Sequence, residues 1–174
     1  GLVSIEPQSG FIKAWVGGAD ITHFAYDHVK QGKRQVGSTI KPFVYGTALA
    51  MGVVKPCTPV PEIAHCVSLE DGHGRITGNW CPAGKVPQGK NVYYGLASSD
   101  NPITVFVMSQ MGGYAGPKTI SKLLKDLDIN LRPEDEVPSM CLGIMDLSLM
   151  EMTGAQAMWA NNGIYNRPVS ILRI

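Results

Sequence analysis

The segment that most constrains the fold of this chain is the stretch that follows Gly37. Six of its residues recur at helical spacing and share one face: Ile40, Phe43, Val44, Thr47, Ala48 and Met51. This pattern predicts a buried helix that begins near Ser38 and ends at Gly52. Pro42 lies in the first turn of that helix, where a missing backbone amide is tolerated. Other elements of the chain must therefore cover this helix.

Length and composition exclude several classes of protein. The chain has 174 residues, which is enough for one domain with a hydrophobic core and too short for two ordinary domains. Only 17% of the residues are charged and 44% are hydrophobic, which excludes a disordered segment. The net charge of +1 argues against a nucleic-acid-binding protein, which would carry a clear basic excess. No apolar stretch is long enough to span a membrane, and any anchor or targeting segment would lie upstream.

The remaining elements follow from turn and capping signals. No regular element is predicted in residues 19–36, which are polar and mixed. A hairpin is predicted at residues 2–6 and 11–16, and a strand at residues 168–174. Helices are predicted at residues 92–98, from a cap at Asn101 to about Met111, from Pro117 to Leu124 or Leu127, and behind a capping box at Ser148 to Asn161. Strands at both ends of a run of helices predict an α/β or α+β fold, most simply one sheet with helices packed on it.

The chemistry is concentrated in the motif Ser38-Thr39-Ile40-Lys41. A serine hydroxyl is a weak nucleophile until a base removes its proton, and residues three apart on a helix share a face. Lys41 can therefore serve as the base for Ser38, provided that burial or a neighbouring charge makes its neutral form accessible. The helix N-terminus beside the serine would favour an anionic intermediate. The alternative interpretation is a capping serine followed by a surface lysine.

A second motif, Ser99-Asp100-Asn101, lies on the turn before the next predicted helix. Ser99 could relay a proton, and the side-chain amide of Asn101 could donate a hydrogen bond to a substrate carbonyl. Helix capping by Asn101 is the structural alternative, and capping and catalysis can coexist.

Three of the four cysteines, Cys57, Cys66 and Cys81, lie in one Gly- and Pro-rich stretch with two histidines. A zinc site is one interpretation, although no Cys-x-x-Cys pair is present. A hairpin with its turn at residues 73–74 would place Cys66 opposite Cys81, at a separation that suits a disulfide. Buried, reduced thiols are the third interpretation. A disulfide would indicate an oxidising compartment outside the cytoplasm.

The two motifs, in this order, resemble those of the penicillin-binding protein and serine β-lactamase superfamily. Several segments are similar to the transpeptidase domain of bifunctional, class A penicillin-binding proteins: residues 2–10, 14–18, 34–43, 95–101, 142–152 and 160–169. The resemblance covers nearly the whole chain and is weakest in the cysteine-bearing residues 57–81.

This resemblance implies a D,D-transpeptidase that cross-links peptidoglycan stem peptides ending in D-Ala-D-Ala. Ser38 would be the nucleophile, Lys41 the base, Ser99 a proton shuttle and Asn101 a substrate ligand. β-Lactam antibiotics would acylate Ser38 because they mimic the scissile peptide. The resemblance also implies no metal or organic cofactor and an extracytoplasmic location at the periplasmic face of the cell membrane. A glycosyltransferase domain and a membrane anchor would lie upstream of this chain.

The family's third motif, a Lys-Thr-Gly on a sheet strand, is absent from the sequence. Lys118-Thr119-Ile120 lacks the glycine and lies in a helix-forming stretch. In the family this motif supplies part of the oxyanion hole and a lysine for the substrate carboxylate. We therefore expect residues 1–174 to form the N-terminal and helical portion of one incomplete transpeptidase domain. We expect this fragment to be inactive alone and to self-associate through uncovered strand edges.

Two related functions remain open at this point. A β-lactamase or D,D-carboxypeptidase would form the same acyl-enzyme. A class A β-lactamase would need a Glu-x-x-Leu-Asn carboxylate, which residues 133–136 do not provide. A non-catalytic β-lactam sensor would keep Ser38 and Lys41 without turnover, and the flanking similarity to bifunctional synthases argues against it.

Overall fold

The computed structural model describes residues 1–20, 22–23 and 25–171. The chain divides into two compact units. The terminal unit comprises Gly1–Val36, Leu124–Asn130 and Asp146–Ile174, and the central unit comprises Gly37–Leu123 and Leu131–Met145. None of the helices in the described ranges combines the length and the apolar character needed to cross a membrane.

The terminal unit contains two small antiparallel sheets and a helix. They are β1 (Leu2–Ile5) with β2 (Ile12–Val16), β3 (Lys33–Gln35) with β6 (Asp146–Ser148), and α5 (Leu149–Ala160), which packs on β1. The predicted capping box is confirmed. Ser148 Oγ accepts a hydrogen bond from the Glu151 amide at 3.2 Å, and a Glu151 carboxylate oxygen accepts one from the Ser148 amide at 2.7 Å.

The central unit is built around two packed helices. Its elements are α1 (Lys41–Ala50), β4 (Val67–Glu70), β5 (Ile76–Trp80), α2 (Val92–Ala97), α3 (Asn101–Met111), most of α4 (Ala115–Asp126), and the 3₁₀ turns Gly37–Ile40, Pro133–Asp135 and Pro138–Leu142. α3 is buried from Ile103 to Met108 and packs against α1. Because α3 is covered on nearly every side, its sequence is apolar all round, with no narrow apolar stripe.

The mixed helix-and-strand class is confirmed, but the single sheet is wrong. The described residues form three two-stranded sheets. β1–β2 and β4–β5 are local hairpins, and neither pairs with a strand from elsewhere among the described ranges. The predicted terminal strand is reduced to one parallel bridge between Val169 and Phe11, and Leu172–Ile174 lie outside the described residues.

Several element boundaries also differ from the prediction. The helix predicted from Ser38 begins as a 3₁₀ turn, and regular α-helix starts only at Lys41, so that Pro42 falls in its first turn. α4 begins at Ala115, two residues before Pro117. The strand β3 was not predicted because residues 33–35 have no alternating pattern and gain their pairing from distant β6.

The cysteine-bearing hairpin is closed covalently. Val67 lies opposite Trp80, so the next pair outward is Cys66 and Cys81, which form a disulfide with a Cα–Cα distance of 4.3 Å. Cys57 is free and exposed, and Cys141 is free and buried. No group of three or more side chains that could bind a metal ion occurs in the part of the chain that the structure describes.

Candidate active site

Ser38 is exposed and lies in the 3₁₀ turn that precedes α1. The turn is fixed through its backbone, because the Gly37 amide donates a hydrogen bond to the Gly143 carbonyl at 3.0 Å. α1 has no side-chain cap at its N-terminus. The positive end of the α1 dipole therefore lies close to Ser38, three residues before the helix starts, where it favours negative charge.

Lys41 is the central residue of the site and is only 1% exposed. Its Nζ donates three hydrogen bonds: to the Ser99 carbonyl at 2.6 Å, to Ser99 Oγ at 3.1 Å and to Asn101 Oδ1 at 2.7 Å. A lysine ammonium has three N–H donors and no acceptor, so these three oxygens satisfy it completely. Lys41 thus joins the start of α1 to the turn that precedes α3.

The electrostatic surroundings favour proton loss from Lys41. Burial lowers the pKa of Lys41 from its ordinary value, because the ammonium form is deprived of water, and the Asp100 carboxylate opposes part of this shift. Burial also raises the pKa of the nearby Cys141 thiol to about 12, so this thiol is neutral at physiological pH. The neutral amine of Lys41 is therefore more accessible than that of a lysine in water.

Ser99 adopts the left-handed conformation, with a φ of 56°. This conformation is uncommon for a residue other than glycine and costs on the order of 1 kcal/mol or more. Ser99 uses both its carbonyl and its hydroxyl oxygen on Lys41. The strain is thus stored at a residue that gives two acceptors to one buried cation.

Asn101 is the first residue of α3, and the prediction that it caps this helix is wrong. The cap is Asp100, whose carboxylate accepts a hydrogen bond from the Ile103 amide at 2.8 Å. Asn101 is therefore left to accept from Lys41, which also fixes its amide orientation, because a lysine can only donate. Within the described residues the Asn101 NH₂ group has no hydrogen-bond partner, so it can donate to a bound carbonyl.

A buried hydroxyl pair behind Lys41 was missed at the level of sequence. Tyr45 Oη and Thr104 Oγ1 lie 3.1 Å apart, and Thr104 Oγ1 donates to the Asp100 carbonyl at 2.7 Å. Since the single hydroxyl proton of Thr104 is used on Asp100, Tyr45 must be the donor of the first bond. The available signal was the spacing: Tyr45 is one turn after Lys41, and Thr104 is one turn after Asp100.

The structure thus brings Lys41, Ser99 and Asn101 together as one hydrogen-bonded group. No hydrogen bond joins Lys41 to Ser38 among the described residues, because the three N–H groups of Lys41 Nζ are used on the Ser99–Asn101 turn. Ser38 instead stands beside this group in its own turn, three residues before Lys41. The Tyr45–Thr104 pair is bonded to the Ser99–Asn101 turn through the Asp100 carbonyl.

No protein-family model matches the chain. Among curated relatives, penicillin-binding protein 1A of Rickettsia conorii is 35% identical over 165 residues, which is 93% of this chain and 20% of that protein. Penicillin-binding protein 1A of Vibrio cholerae is 29% identical over 176 residues, which is 99% of this chain and 20% of that protein. Penicillin-binding protein 2D of Bacillus subtilis is 31% identical over 185 residues, which is 100% of this chain and 24% of that protein.

Two solved structures support the same assignment at the level of fold. Penicillin-binding protein 1A of Haemophilus influenzae superimposes with a TM-score of 0.71 at 24% identity, over 91% of this chain and 23% of that one. The transpeptidase (TP) domain of penicillin-binding protein 3 from Burkholderia pseudomallei gives a TM-score of 0.69 at 20% identity, over 99% of this chain and 53% of that one. The chain spans about a fifth of the length of the penicillin-binding protein 1A relatives it matches. It is homologous to the transpeptidase region of penicillin-binding protein 1A.

Proposed function

We propose that this chain is part of a serine D,D-transpeptidase domain that cross-links peptidoglycan stem peptides ending in D-Ala-D-Ala. Residues 1–174 are the N-terminal and helical portion of that domain, which acts at the periplasmic face of the cell membrane. The observation that carries the proposal is the buried Lys41, satisfied by Ser99 and Asn101 next to an exposed serine. The homology to penicillin-binding protein 1A supports it.

In the first step Ser38 Oγ attacks the carbonyl carbon between the two terminal D-alanines. Neutral Lys41 accepts the hydroxyl proton, and the contact with Ser38 tightens when substrate is bound, as is common for catalytic hydrogen bonds. The C–O bond to Ser38 forms and the C–N bond to the last D-alanine breaks. Ser99 Oγ, already bonded to Lys41, passes the proton to the leaving amine. The Asn101 amide holds the substrate by donating to a carbonyl.

In the second step an amine from a neighbouring stem peptide attacks the acyl-enzyme. Its proton returns through Ser99 and Lys41 to Ser38 Oγ, and a new amide cross-link is released. A β-lactam follows the first step only, with its ring amide in place of the D-Ala-D-Ala bond. None of these steps requires a metal or an organic cofactor.

The test is labelling of the full-length protein with a fluorescent penicillin, followed by peptide mapping. We expect the label on Ser38, no label in Ser38→Ala, and normal labelling in the control Ser98→Ala, because exposed Ser98 bonds its own helix and not Lys41. Persistent labelling of Ser38→Ala at another residue would refute the assignment. Rapid release of hydrolysed penicillin would identify a β-lactamase.

The 174-residue chain by itself is expected to label slowly or not at all. Without a Lys-Thr-Gly strand it has one oxyanion donor fewer, a loss that typically lowers the rate roughly a hundred- to thousand-fold. Its unpaired strand edges are expected to promote self-association. Light scattering over a concentration series, together with penicillin labelling, tests both expectations. A monomer that labels as fast as the full-length protein would contradict them.

A further inference from the structure

The position of the nucleophile depends on backbone contacts. Ser38 is exposed, and its side chain makes no hydrogen bond among the described residues. Its turn is bonded to a distant part of the unit through the Gly37 amide, which donates to the Gly143 carbonyl at 3.0 Å. Gly143 therefore lies where it can fix the backbone directly before Ser38.

Gly143 is constrained in two independent ways. It is left-handed, with a φ of 77°, a conformation that favours glycine. A Cβ at this position would also lie 2.1 Å from the Gly37 carbonyl oxygen and 2.4 Å from the Gly37 nitrogen. Both contacts are with backbone atoms, so no side chain could rotate away to relieve them. Any L-residue at position 143 must displace Gly37.

The support behind Gly143 is rigid. It ends the 3₁₀ turn Pro138–Leu142, and its amide donates to the Met140 carbonyl at 2.9 Å. Met140 and Cys141 in this turn are completely buried. The turn packs against α1, α3 and the 3₁₀ turn that carries Ser38. Displacement at position 143 would therefore be passed to Gly37, because the buried side behind it has no room to yield.

We propose that Gly143 is a positioning residue for Ser38: its carbonyl holds the Gly37 amide, and its missing side chain permits this approach. The proposal rests on the proposed function in so far as Ser38 is the nucleophile. A shift of about 1 Å at a reacting group can lower a rate on the order of a hundredfold. Substrate binding through Asn101 does not depend on this contact.

The test compares Gly143→Ala with two further variants of the full-length protein. Stopped-flow labelling with penicillin separates the dissociation constant of the non-covalent complex from the acylation rate constant. In Gly143→Ala we expect the rate constant to fall by about a hundredfold with little change in the dissociation constant. Gly143→Asn tolerates a left-handed backbone but keeps a Cβ, so it should be as slow. Normal acylation by folded Gly143→Ala overturns the proposal.

Gly52→Ala is the matched control. Gly52 is also left-handed, with a φ of 70°, but a Cβ there meets no atom within 4 Å. It carries the backbone strain without the collision, so its acylation rate constant should stay near that of the unmodified protein. A loss equal to that of Gly143→Ala would mean that general strain explains the effect and would overturn the proposal.

Hydrogen–deuterium exchange separates this proposal from the proposed function. The peptide covering residues 36–40 should exchange faster in Gly143→Ala and not in Gly52→Ala, because the Gly37 amide loses its acceptor. If Ser38 is not labelled at all, the proposed function fails, and this exchange result alone decides the role of Gly143. If Gly143→Ala does not fold, Gly143→Asn decides, since asparagine tolerates the left-handed backbone and still places a Cβ against Gly37. Normal acylation by folded Gly143→Asn would overturn the proposal.

Discussion

Two regions of the central unit are held together by opposite means. The junction of α1 and α3 buries Lys41, Tyr45 and Thr104 almost completely and joins them to the Ser99–Asn101 turn by hydrogen bonds. In the hairpin of β4 and β5, only Val67 among the strand residues is buried, and the ends are closed by the Cys66–Cys81 disulfide. Where apolar packing is plentiful, the chain can bury a cation. Where apolar packing is sparse, a covalent bond stabilises the structure in its place.

The physical reason lies in what each region can bury. Burying an ammonium is unfavourable unless its donors are satisfied, and Lys41 has three oxygen partners within an apolar surround. A two-stranded hairpin is at best marginally stable in water, so a cross-link contributes a large share of its stability. The hairpin packs on α3 and on the turn after it, where a Cβ at Gly113 would lie 1.5 Å from the Ser68 carbonyl oxygen. Lys41, in contrast, contacts the start of α3. Changes in the two regions should therefore have separable effects.

The largest effect is expected from Lys41→Met, which keeps the side-chain volume and removes the proposed base. Acylation by penicillin should fall by roughly two to four orders of magnitude, the usual contribution of a positioned general base. The protein should remain folded, because methionine leaves no buried charge. Stopped-flow labelling measures the rate, with exposed Lys55→Met as the control. A normal acylation rate in Lys41→Met would show that Lys41 is not the base and would leave the assignment of Ser38 as the nucleophile unaffected.

The disulfide should affect stability and not chemistry. Cys66 and Cys81 are 15 residues apart, and a bridge over such a loop contributes about 3 kcal/mol to the free energy of unfolding. The Cys66→Ser, Cys81→Ser double variant should lose about this amount in urea denaturation and acylate at a normal rate when folded. Cys57→Ser, at the exposed free thiol, is the control. A large loss of acylation in the folded double variant would show that the two regions are coupled.

A smaller change is expected at the hydroxyl pair behind Lys41. Thr104→Val leaves the Tyr45 hydroxyl buried without its partner, which should lower the free energy of unfolding by roughly 1–3 kcal/mol. Thr104→Ser keeps the hydroxyl and should retain most of the free energy of unfolding that Thr104→Val loses. Thr47→Val is the matched control, since the Thr47 hydroxyl is buried on α1 and has no hydrogen-bond partner among the described residues. Equal losses in Thr104→Val and Thr47→Val would exclude a specific role for the pair.

The smallest expected effect is the change in the acylation rate with each pH unit. If neutral Lys41 is the base, acylation should rise about tenfold per pH unit until the pKa of Lys41, which lies below 10.5 because of burial. Stability changes with pH in the same direction. Between the lowered pKa of Lys41 in the folded protein and its ordinary pKa in the unfolded chain, the folded protein binds fewer protons. The contribution of this lysine to the free energy of unfolding therefore rises with pH in that range. If the acylation rate still rises at the ordinary lysine pKa or above it, burial does not set the pKa of the base, and this explanation is contradicted.

Local signals allowed much of the secondary structure to be predicted. The β1–β2 hairpin, the end of α3 at Met111 and the Ser148–Glu151 capping box depend on residues close together in sequence. The pairing of Cys66 with Cys81 belongs to the same class, since a hairpin alone brings them face to face. The two site motifs were also recognisable, because each is a short run of residues.

Tertiary structure alone decided which residues of these elements and motifs contact one another. The sequence predicted Asn101 as the cap of α3, and this was wrong: buried Lys41 takes the Asn101 oxygen, and Asp100 caps the helix. The pairing of β3 with β6 and the contact of Gly37 with Gly143 join residues about a hundred positions apart, which no periodicity encodes. Sequence patterns report which face of an element is buried. Which distant backbone meets it is set by packing of the whole unit, where close approach and unsatisfied polar groups leave few arrangements.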